Sequence, residues 1–497
     1  MKIFSIIISL FILSSFQSFA QEDKVIKLDL ETSIAIAKEQ SFTMQRLRES
    51  LKGAGYQLNA ATSSFKTKIT LDLVAPEYDE RITSYQDASG LTYFSDKQLS
   101  YSANLTINQP LPTDGRLFIS SGVFNTDDYD QDEQLTRTTT RIGLSQPIQS
   151  LYMYNDIKTQ FKKAKMNYDL TSKRLKRNEL NVIYNVSSAF YTLNQSKERM
   201  SIAEKSLKRL QEAYDIAQNK YNAGLIREVE ALQVEVDLGD AKNKYDLSQV
   251  EYEKNLNFFK QTLGLSLDQK VELISDFNYV PVNVNLRKAI DQGLKNRLEL
   301  KEKQIQIEMA NLDIKRTKAQ GVISGNINAY YDFVGVTQTD IDIHLEDAIK
   351  DSWKNLKDRP ANFGVGLKLK IPILDWGQNR SRVRAAQTSI NETMISLEEE
   401  TMTIEREIIS IVNDLNSSLR RLQLLDKNVD VAEKSFAISQ SRFSNGDIDS
   451  QALALDRERL DNAHISHLQA YISYKLNLAN LMRKTFYDFE KDKEIIY

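Results

Sequence analysis

His464 and His467 stand three residues apart in a proline-free run, a spacing that brings two imidazoles to one side of a helix and could seat a metal ion. One other histidine, His344, falls in a loop between strands, and there is no cysteine, which excludes thiolate metal sites, disulfides and lipidated cysteines. No phosphate-binding loop and no recognisable arrangement of nucleophile and histidine is present, so no catalytic residue, metal site or cofactor is assigned. The carboxylates are abundant but scattered. Glu228 and Glu230 follow Gly224, while Asp447, Asp449 and Asp456 follow Gly446. Solvation of exposed turns and helix surfaces explains them.

The elements that carry these residues are long helices. Pro147 and Pro281 bracket 133 residues without proline, and the 125 residues after Pro372 contain none, so both stretches can be helical throughout. Each is broken once, by KYNAGL at Lys220–Leu225 and by RFSNGD at Arg442–Asp447. The breaks lie 222 residues apart, an offset that also relates Tyr214 to Phe436, Leu238 to Leu460 and Tyr252 to Tyr474. Further upstream, Leu30–Phe65 matches Leu286–Gly321 at an offset of 256, so the first copy carries 34 extra residues. The chain is a duplication of a short helical segment, strands and a long hairpin. His467 aligns with Tyr245 on the heptad seam of that hairpin, which makes it a packing residue. An arm of about 70 residues spans on the order of 100 Å at about 1.5 Å per residue, the dimension of a tube or stalk.

Between the helices the apolar period falls to two. Tyr101, Ala103, Leu105 and Ile107 alternate with polar residues, as do Phe363, Val365, Leu367, Leu369 and Ile371. Similar runs occupy Lys68–Leu73, Arg116–Phe124, Thr138–Ser145 and Ile323–Phe333. Each is about nine residues, enough for a tilted strand to cross a bilayer. The first twenty residues, with Lys2, the apolar run Ile3–Leu13 and Ser18-Phe19-Ala20, have the layout of a cleaved secretory signal. The net charge of −3 shows no basic excess, which argues against nucleic acid as a partner. Neither four nor six strands can close a barrel when the smallest barrels have about eight, and an open sheet edge is not tolerated in lipid. Several copies must therefore share one barrel. A soluble sheet with one wet face is the alternative.

The duplicated layout resembles the TolC-like outer membrane efflux proteins over essentially the whole mature chain. The resemblance is carried by LDLETSIAIAKEQSFTMQ at Leu28–Gln45, by GLSQPIQS at Gly143–Ser150 and by KYNAGLIREVEALQVEVDLGDAKNKY at Lys220–Tyr245. The strand exit LKLKIPILDWGQNRSRVRAAQ at Leu367–Gln387 adds a fourth motif. It implies an α+β membrane protein, with duplicated coiled-coil hairpins forming a periplasmic tunnel and strands entering a shared trimeric outer-membrane barrel. The expected segments are a signal at 1–20, a short helix at 21–66, strands with an extra hairpin at 67–147, and a hairpin at 148–265 with its tip at 220–226. A linker at 266–285 leads to a short helix at 286–322, strands at 323–372, a hairpin at 373–485 with its tip at 442–449, and a tail at 486–497.

The resemblance also implies a homotrimer in outer-membrane lipid that works with a periplasmic adaptor and an inner-membrane pump as a passive exit duct. Carried over to this chain, the adaptor-docking tip positions are Tyr221, Gly224 and Leu225, with Phe443 and Gly446 in the second copy, where Asp447 replaces the leucine. The turn alone explains both glycines equally well. Some members close the tunnel with aspartates six and nine residues after the second glycine; here those positions hold Ala452 and Leu455. Candidate gate residues are therefore Glu228, Glu230, Asp447, Asp449 and Asp456, with an apolar constriction at Leu453 or Leu455 as the alternative. Tyr101, Phe118, Tyr331 and Phe363 are the expected membrane anchors. A non-channel periplasmic adaptor or a coiled-coil surface protein is the rival reading. The extra hairpin either widens the barrel or stands outside it.

Overall fold

The computed structural model describes residues 25–274 and 278–495, so the expected signal segment lies outside the described residues. In chain order the elements begin with β1 (Ile26–Leu28), α1 (Leu30–Gln40) and α2 (Phe42–Ser63). Four strands follow: β2 (Lys68–Asp87), β3 (Gly90–Pro110), β4 (Arg116–Asp128) and β5 (Glu133–Pro147). A short α3 (Gln149–Tyr152) leads to the first long hairpin, α4 (Asp156–Asn222) and α5 (Glu228–Leu263). β6 (Val271–Leu273) lies in the linker, and the second copy contains α6 (Leu286–Asn296), α7 (Leu298–Gln320), β7 (Ser324–Asp340), α8 (Leu345–Asp358) and β8 (Asn362–Lys370). Its long hairpin is α9 (Gln378–Asn445) and α10 (Ser450–Thr485), ending in a small β9 (Tyr487–Asp488) and β10 (Lys493–Glu494) pair.

The helices divide between two compact units. One gathers the described residues up to Glu49 with Arg174–Leu298 and everything from Glu400; the other holds Ser50–Lys173 and Glu299–Glu399. The expected single short helix of each copy is instead two. Ser41 and Arg297, equivalent at the offset of 256, take extended backbone and break it at the same place. The first break is held against Gly264, which caps α5 at φ 82° and leaves no room for a Cβ, since one would stand 2.4 Å from the Gln40 carbonyl oxygen. At the second, Arg297 is buried and paired with Glu407 at 3.2 Å, and Lys484 reaches the same carboxylate at 2.8 Å. Burial opposes ionisation of Glu407, but Lys484 and Arg297 outweigh it and hold the carboxyl below its ordinary range. Phe190 and Phe259, and Tyr191 with Tyr471, pack edge-on or tilted in the core of this unit.

The second unit is built on one antiparallel sheet in the order β2-β3-β4-β5-β7-β8. The extra hairpin of the first copy, β4–β5, is thus continuous with the sheet and inserted between β3 and β7. Except for β8, the strands run past the expected nine residues, reaching 20 in β2 and 21 in β3. The sheet ends in two unpaired edges, β2 and β8.

His344 lies in a loop, as expected, but that loop leads into a 14-residue helix, α8, within a stretch expected to hold strands. β8 stops opposite Asp332, leaving the rest of β7 without a strand on that side, and α8 covers it. Asn355 accepts a hydrogen bond from the Val336 N–H at 3.1 Å, satisfying a backbone group the missing strand would have taken. Ser352 is buried against Thr138, with its Oγ 3.0 Å from Thr138 Oγ1. Gly335 permits this approach, because a Cβ there would lie 1.9 Å from the Ser352 carbonyl oxygen.

Candidate functional site

Both hairpin tips reverse by one device. In α4 the Gly224 N–H donates to the Tyr221 carbonyl at 2.9 Å and Leu225 N–H to that of Lys220 at 2.8 Å. In α9 the Gly446 N–H donates to Phe443 at 3.1 Å and Asp447 N–H to Arg442 at 2.9 Å. These are paired left-handed caps, with Gly224 at φ 72° and Gly446 at φ 89°. Open space surrounds both glycines, so the backbone angle, not packing, selects them.

The side chains around the two turns differ. Leu225 is 73% exposed and Tyr221 is also exposed, whereas Phe443 is only 6% exposed. Phe443 packs with Phe436, Leu453 and Leu460, and Ile216 of the first hairpin joins them. It is therefore a core residue of the tip rather than a surface for docking, a correction to the sequence-based expectation. The Lys220 ammonium, which sequence reasoning missed, ties the tips together: it donates to the Phe443 carbonyl at 2.8 Å and sits 4.7 Å from its ring centroid.

The candidate acidic gate is not one cluster of equivalent groups. Asp449 caps α10, accepting from the Ala452 N–H at 2.9 Å. Asp456 is engaged by the Ser439 hydroxyl and by Arg459 at 2.9 Å, and Glu230 pairs with Arg227 at 2.8 Å. Glu228 and Asp447 are exposed at the turns. Of the apolar alternatives, Leu453 belongs to the tip core and Leu455 is exposed. Exposed apolar residues also recur along the arms: Leu424, Val431 and Ile438 at intervals of seven on α9, and Val229, Leu232 and Val236 on α5. At these spacings the residues fall on one stripe of each helix.

The two histidines turn to different acids. His467 Nε2 lies 2.6 Å from Asp426, which also accepts the Tyr279 hydroxyl at 2.7 Å, whereas His464 lies 3.5 Å from Glu433. Burial lowers the His464 imidazole from its ordinary value, against the opposing pull of Glu433 and Asp461.

On the sheet, strand register sorts side chains onto two faces. One presents Ile69, Leu71 and Leu73 on β2, Leu105 on β3, Leu117 and Ile119 on β4, and Phe363, Val365, Leu367 and Leu369 on β8, all exposed. Tyr101, Tyr331 and Phe363 lie on this face. Phe118 does not. Its register puts it on the opposite face over Gly143, where a Cβ would stand 2.3 Å from the ring, with the Arg116 guanidinium 5.7 Å from the centroid. As an expected lipid anchor it is thereby corrected. That opposite face is polar: Arg141 pairs with Asp332 at 2.6 Å and stacks 4.9 Å from Tyr330, and Lys368, Lys370, Asn104 and Asn108 lie alongside.

The sequence matches the family model described as outer membrane efflux protein over residues 120–265 and 289–485. No curated protein matches it. Among solved structures, the CmeC outer membrane channel of Campylobacter jejuni superposes with a TM-score of 0.68 at 14% identity, covering 92% of this chain and 85% of that one. The outer membrane protein VceC of Vibrio cholerae gives 0.63 at 13% identity, with 92% and 95% covered. The open state of the MtrE outer membrane channel of Neisseria gonorrhoeae gives 0.62 at 14%, with 92% and 88% covered.

Proposed function

The chain belongs to the outer membrane efflux protein family, and from that membership we propose that three copies form one passive exit duct of a tripartite efflux or type I secretion system. Each copy lends its sheet to a shared barrel and its hairpins to a periplasmic tunnel. The observation that carries this reading is the sheet: an exposed apolar face, a charged opposite face and two open edges. Such a surface suits lipid on one side and water on the other, provided that neighbouring copies pair the edges. Three sheets of six strands would give about eighteen, an even number within the range of known barrels. The exposed seams on α5 and α9 supply helical faces for the same neighbours.

In this reading a periplasmic adaptor engages the tip around Tyr221 and Leu225, while an inner-membrane pump supplies energy and selects small molecules or polypeptides. Opening of the tips would be the gate, with Glu228 and Asp447 as its exposed carboxylates. The chain performs no chemistry on what it passes. An adaptor role for the chain itself fits poorly with two hairpins and a duplicated sheet.

The deciding experiment is the mass of the detergent-extracted outer-membrane protein by light scattering, corrected for bound detergent. A stable trimer that conducts ions in planar bilayers supports the duct; a monomer removes it.

A further inference from the structure

The chain has two tryptophans, and both stand on the second unit at opposite ends of the exposed apolar face. Trp376 follows β8, is 90% exposed, and is presented in a left-handed conformation at φ 54°. Asp375 beside it accepts from the Gly377 and Asn379 N–H groups at 2.9 and 3.0 Å, a cap that starts α9 and leaves the indole outward. Ile373 and Leu374 are exposed next to it, and Leu151 and Tyr152 are exposed after β5, whose end is at the same level of the sheet. Trp353 is on α8, 45% exposed, at the other end of the strands.

α8 lies on the same face of the sheet as the apolar residues, because its buried Ser352 and Leu356 meet Thr138 and Gly335. In register, these follow in line from Ile119, Ile142 and Tyr331. Below α8 that face is apolar; beneath it are Asn125, Gln134 and Thr136, buried and polar. The outward side of α8 carries Lys350, Lys354, Lys357, Glu346 and Asp347, so it cannot lie among acyl chains. The nine residues of β8 separate the two tryptophan segments. At about 3.3 Å per residue and a tilt of about 40° they rise roughly 23 Å, close to the apolar band of about 25 Å in outer-membrane barrels.

We propose that α8 is an interfacial helix resting in the headgroup layer of the outer leaflet, and that Trp353 and Trp376 anchor the barrel at its two membrane surfaces. Amphipathic indoles favour that layer, and exposed lysines beside Trp353 suit lipid phosphate. The inference rests on the outer-membrane barrel reading. It is tested with three variants reconstituted in phospholipid vesicles: Trp376→Phe, which leaves Trp353; Trp353→Phe, which leaves Trp376; and the double variant with Leu367→Trp in the middle of the apolar face. Lipids brominated near the headgroup should quench Trp353 and Trp376 strongly, and lipids brominated near the chain ends should quench them little. The Leu367→Trp reporter should show the reverse. If the reporter is quenched but Trp353 is reached only by aqueous iodide, α8 stands clear of the membrane and the proposal fails. Trp353 quenched chiefly from the chain ends also overturns it. If the reporter itself escapes chain-end quenching, the sheet does not face lipid, and the barrel reading falls together with the inference.

Discussion

At the level of single residues, the most exposed structural dependence is the Arg297–Glu407–Lys484 group. Glu407→Gln removes the charge that both cations share, so it should cost about 1–3 kcal/mol, read by denaturant titration of the assembled protein. At the tips, the proposed docking and the stability of the fold can be told apart. If the adaptor docks as proposed, Leu225→Asp should weaken its binding about tenfold or more while leaving the fold intact. Phe443→Ala should instead loosen the tip by about 3 kcal/mol and admit protease there. His464 makes a pH prediction with a definite sign. Its folded imidazole binds a proton at lower pH than the unfolded chain, whose value is near 6.5. Its stabilising share is therefore complete above that value and is lost as acidity increases below it. His464→Gln should flatten this part of the stability profile relative to the parent. Sequence reasoning reached the tip glycines because a left-handed cap leaves a compositional trace. It failed at Phe118 because β4 carries apolar residues on both faces, Phe118 and Phe124 against Leu117 and Ile119, and only register distinguishes them. Phe443 and Tyr221 are equivalent by repeat, yet one is buried and one is not, since equivalence along the chain does not say which neighbour covers a side chain.

At the level of elements, the hairpins and the six strands were legible in periodicity, and the breaks at Ser41 and Arg297 were not, because an apolar stripe continues through both. The strands were read as too short since beyond the apolar face the alternation becomes polar on both sides and loses its signature. α8 was visible in principle. Leu345, Ala348, Ile349, Ser352 and Leu356 keep helical spacing, with Glu346 and Asp347 in the first turn and Lys357 in the last. Helix packing gives the sharpest element-scale prediction. A Cβ at Gly293 on α6 would lie 2.1 Å from Ile408 Cδ1 on α9, and Ile408 is fully buried. Gly293→Ala should therefore overpack this contact by about 1–3 kcal/mol, and Gly293→Ala with Ile408→Val should recover part of the loss.

At the level of the whole molecule, the proposed assembly depends on β2 of one copy meeting β8 of the next. An antiparallel register that places Asp72 opposite Lys368 also sets Leu71 against Leu369 and pairs unlike charges across the polar face. Because the chain has no cysteine, Leu71→Cys with Leu369→Cys should yield an oxidised species that runs as a covalent trimer under denaturing conditions and reverts to monomer on reduction. A trimer by mass that never cross-links there or one pair of residues to either side would mean the seam lies elsewhere. The Lys220 contact carries a different consequence. It joins a first-copy turn to a second-copy turn, so a protomer that keeps it moves its two turns as a single leaf. In the proposed trimer the duct would then have three moving parts instead of six, and single-channel records should step through at most three substates. Lys220→Met would free the two turns of each leaf from one another and multiply those steps.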